Sequence, residues 1–131
     1  MSAPTACAEL VSDGLSTAVE RARNPLVRIA TGRRGLGSGV VWARPGIVVT
    51  NALVAVHGEL SVVDRDRDGG RAAARVLAIE EQADAAVLAV DLPGLRPAPV
   101  GDARSLKPGK IVRALGFPLG PDGHGDRWCD Y

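Results

Sequence analysis

The residues able to act as base, nucleophile or metal ligand are few and lie apart. Histidine occurs at His57 and His124, and cysteine at Cys7 and Cys129. Asp64-Arg65-Asp66-Arg67-Asp68-Gly69 copies the opening of an EF-hand calcium loop. Such a loop takes a bidentate glutamate at its last position, where this chain has Arg75, and two arginines interrupt the acids. A solvated hairpin tip is the expectation there. Asp122, His124, Asp126 and Cys129 carry the ligand atoms of a transition-metal site, but their short, glycine-rich segment does not preorganise one. Neither a metal nor a cofactor is expected. Ser38 stands among Gly35, Gly37 and Gly39. A nucleophile elbow needs glycine two residues to either side of the serine and a strand-to-helix turn. A strand follows the cluster and no lysine does, so it is neither a dinucleotide fingerprint nor a P-loop. A tight backbone approach is the expected use of these glycines. Arg21, Arg23, Arg33 and Arg34 form a basic cluster without interleaved aromatics, which reads as a solvated surface.

Composition narrows the partner classes. The chain has 131 residues and a formal net charge of +1, enough for one domain with a modest core and too little charge to attract nucleic acid or an anionic membrane. Lys107 and Lys110 are the lysines and the other basic residues are arginine, a usage that points to a GC-rich bacterial genome and not to a function. No stretch is long and apolar enough to span a bilayer, and MSAPTACAEL lacks the charged start and apolar run of a secretory signal. The expected location is therefore the cytoplasm. Cys7 and Cys129 are expected as free thiols there, a bridge between the two ends being the alternative.

The elements that must carry these residues follow from periodicity. Leu10, Val11, Leu15, Ala18, Val19 and Ala22 fit one face of a helix from Glu9 to Arg23, which Pro25 stops. Short strand-like runs then alternate with turns: Leu26–Ala30, Gly39–Trp42, Ile47–Thr50, Glu59–Val63, Arg71–Ile79, Ala85–Val90 and Lys110–Leu115. Pro45-Gly46 and Asp68-Gly69-Gly70 mark turns. Such spacing indicates an all-β barrel or sandwich. The alanines of 71–90 favour helix by intrinsic propensity. However, Val76, Leu77 and Ile79, then Val87, Leu88 and Val90, cluster too tightly for one helical face. Gly120–Tyr131 has no period and reads as an irregular tail.

Four segments, in order, resemble the first β-barrel of Deg/HtrA trypsin-like serine proteases. Gly37-Ser38-Gly39-Val40-Val41 resembles the glycine-serine-glycine strand. Val48-Val49-Thr50-Asn51-Ala52-Leu53-Val54 resembles the threonine-asparagine-x-histidine-valine segment that carries the base. Asp68-Gly69 followed by Ala83-Asp84-Ala85-Ala86-Val87-Leu88 resembles the hairpin and aspartate strand. Gly101-Asp102, Leu106-Lys107-Pro108-Gly109 and Gly116-Phe117-Pro118-Leu119-Gly120 resemble a strand pair closing the barrel. The resemblance covers roughly residues 10 to 120. It implies one trypsin-like Greek-key barrel of about six strands with a short N-terminal helix, half of the two-barrel fold. Residues 1–24 would be the helical segment, 25–120 the barrel and 121–131 the tail.

The same resemblance places Asp84 at the orienting aspartate of the triad and Leu53 at the histidine. In a triad an imidazole takes the serine proton while a carboxylate holds the imidazole in the right tautomer. Leucine accepts no proton, and no glycine-x-serine-glycine segment of a second barrel occurs before Tyr131. If Ala52 to His57 forms a helical turn, His57 lies on the same face as Leu53 but about 6 Å further along, whereas proton transfer needs contact within about 3 Å. The implied function is a serine-peptidase homologue without catalysis, an interaction module that meets a protein partner or its own copy through the Leu53–Asp84 face. Alternatives are a part of a working endopeptidase, completed by a second barrel from a longer chain or partner, and a gene remnant whose frame changes after Gly120.

Overall fold

The computed structural model describes residues 3–32, 34–64, 70–117 and 129–130. Helix α1 (Ala3–Arg23) begins earlier than the apolar spacing predicts, with Pro4 in the first turn, where proline's missing N–H is no loss. It ends before Pro25 as expected. Its apolar stripe, however, is not buried along its length. Val19 is buried, while Leu10 and Val11 are exposed, so the helix docks by its C-terminal half.

Six strands follow: β1 (Leu26–Thr31), β2 (Arg34–Val41), β3 (Ile47–Thr50), β4 (Leu60–Asp64), β5 (Gly70–Glu80) and β6 (Ala85–Val90). They close in the order β1-β2-β3-β6-β5-β4, every pairing antiparallel. The interior is filled by branched side chains, with Val27, Ile29, Val41, Val48, Val62 and Leu88 fully buried. On β6, Ala86, Leu88 and Val90 are buried and alternate with half-buried residues, the period-two pattern of a strand with one face in a core. β5 settles the helix-or-strand conflict. Its alanines pair with β4 on one side and its valine-containing end with β6 on the other. Ala72, Ala74 and Val76 pack against the core. Cross-strand pairing and burial override the helix propensity of alanine here.

The glycine cluster lies inside β2, not before it, because residues 34–37 pair with β1. The expected tight approach is borne out at two positions. A Cβ on Gly39 would fall 2.6 Å from Val48 Cγ1, and one on Gly35 would fall 2.7 Å from the guanidinium of Arg28.

Two expectations fail in the C-terminal third. The barrel is closed by β1 pairing with β4, and the described residues of the expected closing pair, up to Phe117, do not join it. Of the strand expected over Lys110–Leu115, Leu115 alone is extended, in the two-residue β7 (Leu115–Gly116), which pairs with β8 (Cys129–Asp130). The expectation rested on local apolar residues, but Ile111 is 75% and Val112 66% exposed. Neither packs on the barrel. β8 also puts two paired residues inside the stretch read as irregular, most of which lies outside the described residues, as does the expected Asp68-Gly69 turn. Segment 91–117 is tied to the barrel at a few points. Leu95 and Phe117 are buried, and Ala98 N donates to the Val41 carbonyl at 2.8 Å.

Candidate active-site region

β3 delivers Thr50 and Asn51 to one end of the barrel, where the chain turns into α2 (Ala52–Ala55). The start of that turn is held by three hydrogen bonds. Thr50 Oγ1 donates to the Ser38 carbonyl at 2.8 Å. Asn51 occupies the cap position, yet its side chain makes no cap hydrogen bond. The cap is supplied instead from 32 residues away: Ala52 N donates to Asp84 Oδ1 at 3.1 Å, and Asn51 Nδ2 donates to Asp84 Oδ2 at 3.4 Å. Asp84 ends the β5–β6 turn with φ of 48°. Aspartate tolerates this left-handed conformation better than most residues, and the Asp84 amide donates to the Glu81 carbonyl.

This clamp fixes which side chains face outward. Ala52, Val54 and Ala55 are buried and seat α2 on the barrel. Leu53 is 71% and Val56 59% exposed. The structure therefore brings Leu53 and Asp84 together as neighbours of one backbone amide, that of Ala52. The carboxylate is oriented by two donors, and the residue next to its anchor bears no ionisable group. The leucine side chain itself offers no atom that accepts a proton.

α2 ends at Ala55, short of the helical turn through His57 that the sequence suggested; His57 is exposed, and its amide closes on the Val54 carbonyl at 3.4 Å. Among the described residues no hydrogen bond joins its imidazole to Asp84. The possible calcium loop lies outside the described residues from Arg65 to Gly69, and so do the side chains of Asp122, His124, Asp126 and Cys129. Among the described residues no three His, Cys, Asp or Glu side chains gather as a metal site. In the arginine cluster, Arg23 pairs with Glu20 at 3.3 Å.

Ser38 has a role that sequence reasoning missed. Its hydroxyl accepts from Phe117 N at 2.6 Å and so ties the segment leaving the barrel to β2. The Gly-Ser-Gly pattern signalled a tight strand, but no local pattern announces a partner 79 positions away.

With the geometry in place, comparison with known proteins gives the family. The Trypsin-like peptidase domain family matches residues 37–127. This chain belongs to the trypsin-like peptidase family. It is 38% identical over 90 residues to the "Probable periplasmic serine endoprotease DegP-like" of Halomonas elongata, covering 69% of this chain and 19% of that protein. It is also 38% identical over 91 residues to the chloroplastic Protease Do-like 1 of Arabidopsis thaliana, covering 68% of this chain and 20% of that protein. The chain thus spans about a fifth of the length of these relatives. Among solved structures it resembles the HtrA-type protease AlgW with tripeptide, at a TM-score of 0.73 and 28% identity, over 88% of this chain and 37% of that one. The six-stranded barrel with its N-terminal helix is one barrel of an HtrA-type protease fold, and the chain corresponds to a fragment of such a protease domain.

Proposed function

We propose that this chain is a trypsin-like peptidase homologue that does not run triad chemistry and serves instead as a protein-interaction module. In this reading Asp84 stands at the position of the triad aspartate and Leu53 at that of the histidine. The observation that carries it is the pairing of an oriented carboxylate with an exposed leucine across the Ala52 amide. A working triad needs a base at that point, and losing any member removes most of its rate advantage. The apolar face left by Leu53 and Val56 is the contact surface, for a partner protein or a second copy, since exposed apolar patches mark such surfaces. The reading keeps the cytoplasm as the location, supported by the exposed free thiol of Cys7.

A second reading is favoured by the share of the relatives that the chain spans. In it, a second barrel from a longer chain or a partner completes a working endopeptidase. A fluorophosphonate probe tests the first reading on this chain, and the second reading expects labelling only where a barrel that supplies the serine is present. The 131-residue chain is expected to stay unlabelled, alone and as Leu53→His. Stoichiometric labelling of a serine overturns the non-catalytic reading. Light scattering across a concentration series is expected to show association or aggregation that Leu53→Lys suppresses. A monomer at high concentration, unchanged by the lysine, removes the role of this face. Sequencing the gene downstream for a glycine-x-serine-glycine barrel in another frame tests the gene-remnant alternative.

A further inference from the structure

A groove of about 540 Å3 runs between the C-terminal half of α1 and the barrel, away from Leu53 and Asp84. Its volume is within the roughly 300–1,000 Å3 of small-molecule sites. Ala18 and Ala22 of α1 form one wall, and Leu26 of β1 and Val40 of β2 form the floor. The alanines matter because larger residues at these helix positions would close the groove. Its charged lining is of one sign: Arg21 and Arg113 border it, and no acidic side chain does among the described residues. Next to Arg21 on the helix, Arg23 is engaged with Glu20, whereas Arg21 makes no ion pair among the described residues.

We propose that this groove binds an elongated apolar molecule ending in a single anionic group, whose head group is held by Arg21. The apolar walls take the chain by burial, and the guanidinium takes the anion by charge-assisted hydrogen bonds. Arg21 lies in the last turn of α1, and the carbonyls that end a helix repel an anion. The attraction must therefore come from arginine, which makes Arg21 decisive for the head group and not for the chain. The proposal is independent of whether Leu53 and Asp84 perform chemistry.

Isothermal titration of the 131-residue chain with decanoate, decyl phosphate and decanol tests it. One-to-one binding of decanoate or decyl phosphate is expected, with decanol about tenfold weaker for want of a charge-assisted bond. The tighter of the two anions identifies the head group as carboxylate or phosphate. Arg21→Glu is expected to weaken the anions about tenfold or more and to leave decanol unchanged. Ala22→Trp, at an exposed helix position that tolerates bulk without unfolding the barrel, is expected to abolish binding of all three. Equal affinity for decanol, anion binding that survives Arg21→Glu, or no binding of any probe overturns the proposal.

Discussion

Residues 47–50 and 110–115 read alike in sequence, as short apolar runs flanked by turn residues, yet the fold treats them in opposite ways. β3 has a strand on each side: Val49 pairs with Val40 of β2 and with Val87 of β6. Among the described residues, Ile111 and Val112 have neither a paired neighbour nor a core to enter. The difference lies not in the propensity of the residues but in whether a partner strand arrives. A strand is stabilised by cross-strand pairs and by the face it buries, and a short run without them stays irregular.

The sharpest way to break this comparison is to truncate a side chain in each region. Leu88→Ala, in the closed barrel, is expected to cost about 2–5 kcal/mol through lost burial and a cavity. Ile111→Ala should change stability by no more than about 0.5 kcal/mol. Urea denaturation measures both, and equal losses would mean that 110–115 is packed as firmly as the barrel. Glycines give a second contrast. Gly39→Ala drives a methyl against Val48 and Ile29 and should cost about 1–3 kcal/mol by overpacking. Gly101→Ala, with open space around it, should be close to neutral in the same denaturation series.

Asp84 comes next in size. Asp84→Ala removes the acceptor that caps α2 and is expected to cost about 0.5–2 kcal/mol, with faster hydrogen exchange at the Ala52 amide. Asp84→Asn keeps an acceptor and tolerates the left-handed backbone, so it should retain most of the protection. If alanine and asparagine behave alike, the cap is not what seats α2. The smallest effect belongs to the irregular region. The side chain and the backbone amide of Arg104 both donate to Asp102 and hold its carboxyl below the ordinary value. A carboxyl depressed in the folded state contributes stability above its unfolded pKa and loses it as the pH falls through the folded one. Asp102 is exposed, so the contribution is local to the short 3-10 turn Ala103–Ser105. Arg104→Ala should return the carboxyl toward its ordinary range, read by NMR titration.

The sequence carried the barrel well where pattern and partner coincide. Strands β1, β3 and β6 match their predicted runs to within a residue, because alternating burial and turn residues act locally. The end of α1 was legible from Pro25 for the same reason. What stayed hidden depends on contacts between distant residues. The docking of α1 by its C-terminal half, the closure of β1 on β4 and the Ser38–Phe117 bond have no local signature. At the candidate site the proximity of Leu53 and Asp84 was legible through the resemblance to Deg/HtrA proteases. The cap that Asp84 places on α2 was not, since Asn51, the expected capping residue by type, leaves the task to a carboxylate on another turn.

The order of the strands around the barrel has a consequence for how the chain matures during synthesis. Strands β1 to β5 emerge first, and their pairings make a curved open sheet, β3-β2-β1-β4-β5, with an unpaired edge at each end. β6 pairs with both β3 and β5, so a single late strand seals both edges at once. Until Ala85–Val90 has left the ribosome, the nascent protein presents two sticky ladders. Ribosome pausing before that point would expose them longer.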